Sequence, residues 1–142
     1  MKHSTGSDVT PGDPRHLFVY GTLMRGSRSP YAKLLQARAR FVGEATVPGR
    51  LYHLGRFPGA IFDASCTARV HGEVFRLNGT SVLDALDAYE GCRPEDPEPR
   101  LFRRGIIEVQ LVRGGAISVW AYAYAGAVSG RPVIASGRFL PR

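Results

Sequence analysis

His16-Leu17-Phe18-Val19-Tyr20-Gly21-Thr22-Leu23 opens on a short apolar run and stops at a glycine. That is the pattern of a buried strand that leaves into a sharp turn, and it predicts a first strand over 16–20. Working outward, Ser29 followed by Pro30 reads as an N-cap with proline at the first helical position. Tyr31, Leu34 and Leu35 then repeat at helical spacing, so a short helix is expected to about Arg38. Pro48-Gly49 and Pro58-Gly59 read as turn dipeptides bracketing a strand over 50–54. A strand over 69–77 puts Val70, Gly72, Val74 and Arg76 on one side, with Gly72 suggesting a bulge.

Thr80 or Ser81 can cap a second helix that runs to Tyr89 or Glu90, and Gly91 suits the residue just past its end. The stretch from Arg93 to Arg100 holds three prolines and three acidic residues, so it reads as a loop. Two long strands follow. Ile107, Val109 and Leu111 alternate in one, and 118–125 places Trp120, Tyr122 and Tyr124 on one face of the other. The expected architecture is α+β: a small, strongly curved or closed mixed sheet with flanking short helices.

Composition agrees. The chain has 142 residues, the size of one domain, and its 44% hydrophobic content can fill a core. Seventeen glycines and ten prolines suit many short elements joined by turns rather than a helical bundle. Residues 1–15 carry almost no apolar side chains and read as a flexible N-terminal tail, leaving 16–142 as a single domain. The tail lacks the apolar run of a secretory signal, and no segment has the ~20 apolar residues of a membrane helix. No membrane association and a cytoplasmic location are the expectation. Cys66 and Cys92 could form one disulfide, but without a secretory signal they read as two free thiols.

The net charge is +7, yet the cations are scattered from Arg15 to Arg142 and only Arg103-Arg104 are adjacent. A nucleic-acid binder clusters its basic residues, so a solvated arginine-rich surface is expected and nucleic acid is not expected as a partner. The sequence carries no signal of oligomeric state.

Glu90 is the most informative residue. At 100° per residue, Val82, Leu83, Leu86 and Tyr89 form one helical stripe and Glu90 falls between Leu83 and Leu86, with Asp87 near the boundary. A carboxylate on a core-facing stripe loses solvent, and at a helix C-terminus the macrodipole disfavours its charge. Both effects raise its pKa and suggest a role other than stability. The bland alternative is a frayed last turn with Glu90 in water. Tyr20-Gly21-Thr22-Leu23 is the second feature: glycine lets the backbone turn and present successive N–H groups to a carboxylate or oxyanion. Its alternative is an ordinary turn.

Other chemistries have no support. His3, His16, His53 and His71 lack metal-ligand spacing, so no metal is expected. There is no P-loop, no Gly-x-Gly-x-x-Gly fingerprint and no Gly-x-Ser-x-Gly elbow, so no cofactor is expected either. Cys92, beside Glu90 and past a helix end, sits in the wrong field for a thiolate.

Taken in order, Phe18-Val19-Tyr20-Gly21-Thr22-Leu23, Gly49-Arg50-Leu51-Tyr52, Phe57-Pro58-Gly59, Val70-His71-Gly72-Glu73-Val74-Phe75 and Leu86-Asp87-Ala88-Tyr89-Glu90-Gly91 resemble the γ-glutamylcyclotransferase-like, or AIG2-like, family. The likeness spans roughly Leu17 to Leu140. It implies a barrel-like β core whose cavity takes a small γ-glutamyl substrate without cofactor. By that resemblance the amides of Gly21, Thr22 and Leu23, after Tyr20, would hold the γ-glutamyl group. Glu90 would be the general acid/base, and Tyr122 would line the pocket.

The activity implied is cyclisation of a γ-glutamyl amide to 5-oxoproline with release of an amine. Two positions depart from the family pattern: Phe102-Arg103 where a tyrosine precedes arginine, and Gly137-Arg138-Phe139 where Gly-Asp-Trp is common. The alternative function is a binding or regulatory protein that keeps the cavity and turns nothing over.

Overall fold

The computed structural model describes residues 13–140. Its elements run β1 (His16–Val19), α1 (Pro30–Arg38), β2 (Ala39–His53), β3 (Pro58–Phe62), β4 (Arg69–Leu77), α2 (Ser81–Glu90), β5 (Phe102–Leu111) and β6 (Ala116–Tyr124). The strands follow the order β3-β2-β4-β1-β6-β5, and a further β2–β5 pairing closes five of them into a barrel, with β3 added on the C-terminal part of β2. Closure removes open edges where β2 meets β5 at Ala45↔Leu111 and Thr46↔Gln110. Only β1 and β6 run parallel; every other pair is antiparallel.

Alternation along the strands builds two cores, as period-2 sequences must. Phe18, Val47, Val70, Val74, Val109 and Val119 fill the barrel interior. The opposite faces send Leu17, Phe75 and Trp120 outward against Leu35 of α1 and Leu83 and Leu86 of α2. Burying each of these leucines stabilises the fold by roughly 1.5–3 kcal/mol. Ser29 Oγ accepts the Tyr31 amide at the start of α1. Thr80 is the N-cap of α2 but makes no side-chain capping bond; its carbonyl accepts the Leu83 amide instead.

Three local expectations are corrected. Pro48-Gly49 is not a turn but lies inside the fifteen-residue β2. Pro48 still pairs with Arg69 of β4, while Gly49 pairs with Phe62 of β3, so the dipeptide is where the strand changes partner. Pro58-Gly59 likewise opens β3 rather than ending in a turn. Gly72 is not a bulge: its register with Ala45 is unbroken, and the irregularity lies at Phe41/Gly43. A Cβ at Gly72 would sit 2.3 Å from the Val19 carbonyl oxygen and 2.7 Å from the Phe18 ring, so glycine is there to let β1 approach β4. Arg76 shares the side of Val70 and Val74, as its spacing places it, and lies exposed at the strand end, opposite Arg40 and His16.

Gly72→Ala is therefore expected to lower unfolding free energy by about 1–3 kcal/mol, because backbone and a buried ring must both move. Urea denaturation would measure it, and an unchanged midpoint would refute the close-packing explanation.

Most of the expected N-terminal tail lies outside the described residues. Of its described end, Pro14 and Arg15 are held in place. The Trp120 indole donates to the Pro14 carbonyl at 3.0 Å, and the Leu77 amide donates to the Arg15 carbonyl at 2.8 Å. No described helix is long and apolar enough to cross a membrane.

Candidate active site

The last turn of α2 and the loop after β1 face one another across a cavity of about 450 Å³. Gly91 ends the helix in the left-handed conformation, φ 73°, with its N–H returned to the Ala88 and Asp87 carbonyls. That termination leaves Glu90 on the cavity wall, partly shielded from water. Burial, reinforced by repulsion from Asp87, pushes the Glu90 carboxyl up to about 7. A group poised there can both accept and return a proton near neutral pH.

On the facing wall, Gly21 begins a tight turn in which its carbonyl accepts the Met24 amide at 3.0 Å. A Cβ at Gly21 would come within 2.8 Å of the Pro58 ring, so glycine lets the loop lie against the β3 entrance, itself part of the wall. Among the described residues, the turn and loop hydrogen bonds leave the N–H groups of Gly21, Thr22 and Leu23 unspent. Thr22 Oγ1 is bonded to the Tyr89 hydroxyl at 2.6 Å, tying the loop to α2.

All six residues singled out from the sequence, Tyr20, Gly21, Thr22, Leu23, Glu90 and Tyr122, line this one space. Two of their hydroxyls are already committed. Tyr20 donates to the Tyr122 carbonyl at 2.6 Å and accepts from the Ala60 amide at 3.2 Å. Burial, with the negative charge of Glu90, also pushes its phenol well above the usual range. Tyr122 donates to Asp87 Oδ1 at 2.6 Å. Both tyrosines thus offer a ligand ring surface rather than a free hydroxyl.

Tyr89 departs from the core-facing stripe on which its spacing placed it. It is 37% exposed and stacks on Tyr31 of α1 with ring centroids 4.5 Å apart. The final turn of the helix thus meets the cavity and α1 instead of the core.

The feature that sequence reading missed is beneath Glu90. Asp87 is buried and accepts two hydrogen bonds from Arg104, from Nε at 2.8 Å and Nη2 at 3.0 Å. Arg104 in turn lies over the Trp120 ring, 4.4 Å from its centroid. The only hint was the position of Asp87 at the edge of the helical stripe. Its partner is on β5 and is brought there by the Arg104↔Tyr122 register. This cluster buttresses α2 and fixes a negative charge near Glu90. Burial, and then the charges of Asp87 and Glu90, push the Cys92 thiol up to about 12, so it is no nucleophile at neutral pH. Cys66 and Cys92 are both free.

The loop from Arg93 to Leu101 forms the remaining wall through Asp96, Pro97, Pro99 and Arg100. It is braced by Arg93–Asp96 at 2.8 Å and Arg100–Glu98 at 2.7 Å. Among the described residues no group of His, Cys, Asp and Glu is arranged to hold a metal ion.

The family model described as gamma-glutamyl cyclotransferase, AIG2-like, matches residues 17–141. The chain belongs to that family. It is 30% identical over 127 residues to the gamma-glutamylcyclotransferase family protein YtfP of Escherichia coli (strain K12), covering 89% of this chain and 96% of the relative. Gamma-glutamylaminecyclotransferase A of Danio rerio is 28% identical over 123 residues, covering 82% of this chain and 71% of that protein. An AIG2-like protein from Mus musculus superposes with a TM-score of 0.69 at 26% identity, covering 90% of this chain and 96% of that one.

Within the family frame, the two departures can be placed. Phe102 lies on the cavity wall, packed between Phe57 and Tyr124, and supplies no hydroxyl. Arg138 lies outside the first cavity, on an adjoining hollow.

Proposed function

We propose that the protein cyclises a γ-glutamyl amide to 5-oxoproline and releases the amine. The observation that carries this reading is a carboxyl raised to about 7, Glu90, facing unspent backbone amides across one cavity. The amides of Gly21, Thr22 and Leu23 would take the γ-glutamyl group and stabilise negative charge developing on its carbonyl oxygen.

In the reaction the α-amine nitrogen bonds to the γ-carbonyl carbon and the carbon–nitrogen bond of the amide breaks. Glu90 takes the proton released from the attacking nitrogen and returns it to the leaving nitrogen. No water is consumed and no protein nucleophile is needed. Holding the chain bent supplies most of the acceleration, since intramolecular reactions reach effective molarities of about 10⁵–10⁸ M. One positioned carboxyl adds roughly 10²–10⁴.

The test is incubation with a panel of γ-glutamyl amides and detection of 5-oxoproline by mass spectrometry. Release from at least one compound is expected. Saturable binding of several panel members without any product would favour the rival reading of a non-catalytic binding protein, to which the missing hydroxyl at Phe102 lends some support.

A further inference from the structure

Beyond Thr22 lies a second hollow of about 520 Å³ that shares this residue with the Glu90 cavity. The turn between β2 and β3 borders both spaces, with Phe57 on the first and Gly55-Arg56 on the second. His53, Arg56 and Arg138 line the second hollow, and no aspartate or glutamate does. Ile134, Phe139 and Leu140 give it an apolar side. Among the described residues neither Arg56 nor Arg138 makes an ion pair. Burial, then the guanidinium groups of Arg138 and Arg69, hold the His71 imidazole below its usual range, with Glu44 opposing them.

We infer that this hollow receives the leaving half of the γ-glutamyl amide and selects one that ends in two negative charges. The inference rests on the cyclisation reading. With the γ-glutamyl head held by the Gly21–Leu23 amides and the leaving nitrogen at Glu90, a substituent on that nitrogen extends past Thr22. It then meets two exposed guanidinium groups, which a dianion neutralises and a neutral or cationic amine does not. Either a phosphate monoester or a pair of carboxylates supplies that charge.

Four compounds decide it: the γ-glutamyl amides of ethanolamine, β-alanine, phosphoethanolamine and glutamate, carrying none, one, two and two charges on the leaving half. In the full chain kcat/KM is expected to rise about three- to fivefold per charge, with the gain shrinking as salt is added. The last two compounds separate phosphate from dicarboxylate. Arg56→Gln and Arg138→Gln, both at exposed positions, should each compress the ratio between the dianionic and neutral compounds. A flat or inverted ranking overturns the inference while leaving cyclisation intact. Should none of the four release 5-oxoproline while another γ-glutamyl amide of the panel does, the inference falls and cyclisation stands; should no member of the panel release it, the cyclisation reading falls. Calorimetric binding of the same compounds to Glu90→Gln then judges the hollow by the same ranking, and equal affinities reject it.

Discussion

Replacing Glu90 with glutamine is expected to cut kcat on a γ-glutamyl amide by about 10²–10⁴ while KM changes little. Gln keeps the shape of the wall and cannot take a proton, so binding survives and transfer does not. In the parent protein, kcat/KM should climb on the acid side through about pH 7, where Glu90 ionises. The variant should lose that limb along with the rate.

Stability should move the other way. Glu90 has a folded-state value of about 7 against 4.5 for the free group, so the folded protein holds its proton more tightly than the unfolded chain. Its contribution is fully present below about pH 4.5 and is lost as pH rises through about 7. Glu90→Gln escapes that loss. Its melting temperature should exceed the parent's above pH 7, by an advantage worth at most about 3 kcal/mol, and match it near pH 4. A purely structural Glu90 forecasts a lower melting temperature and near-normal turnover.

The second large effect is expected at Arg104. Arg104→Met leaves the Asp87 carboxylate buried without its forked partner, a change that costs roughly 3–5 kcal/mol. That is a large part of the 5–15 kcal/mol typical of a domain. Asp84 would suffer too, since its carboxyl is already pushed up by burial and by Asp87 and is held down in part by Arg104. Arg104→Lys should recover only part of the loss, because an ammonium neither forks to both oxygens nor stacks on Trp120 in the same way. Combining Arg104→Met with Asp87→Leu should recover more, as it removes the orphaned charge. A loss below about 1 kcal/mol in the single variant would mean that the pair behaves like a surface salt bridge.

What could be read from the sequence and what could not divide along a physical line. α1, β4 and α2 were legible because each carries its own punctuation: Ser29-Pro30, the alternation of 69–77, and Gly91 after Glu90. The length of β2 was not. Pro48-Gly49 has the local chemistry of a turn, and only the presence of β4 and β3 on either side makes it a change of partner.

The site divides in the same way. Glu90 and the Gly21 loop stood out because each breaks a local rule, a carboxylate on an apolar stripe and a glycine closing a buried strand. Asp87 and Arg104 break none. Their ion pair exists only through the register of β5 against β6, which no local pattern encodes. The loop from Arg93 to Leu101 was recognisable as a loop, but nothing in its prolines says which space it walls.

The origin of the oxygen atoms in the product tests the central claim most directly. A γ-glutamyl amide found active in the panel is incubated with the protein in heavy-oxygen water, and both products are weighed by mass spectrometry. Intramolecular attack by the α-amine predicts one 5-oxoproline for each amine released, with no heavy oxygen incorporated. Glutamate carrying a heavy oxygen would show that water, not the substrate's own amine, attacks the γ-carbonyl, and would contradict the account.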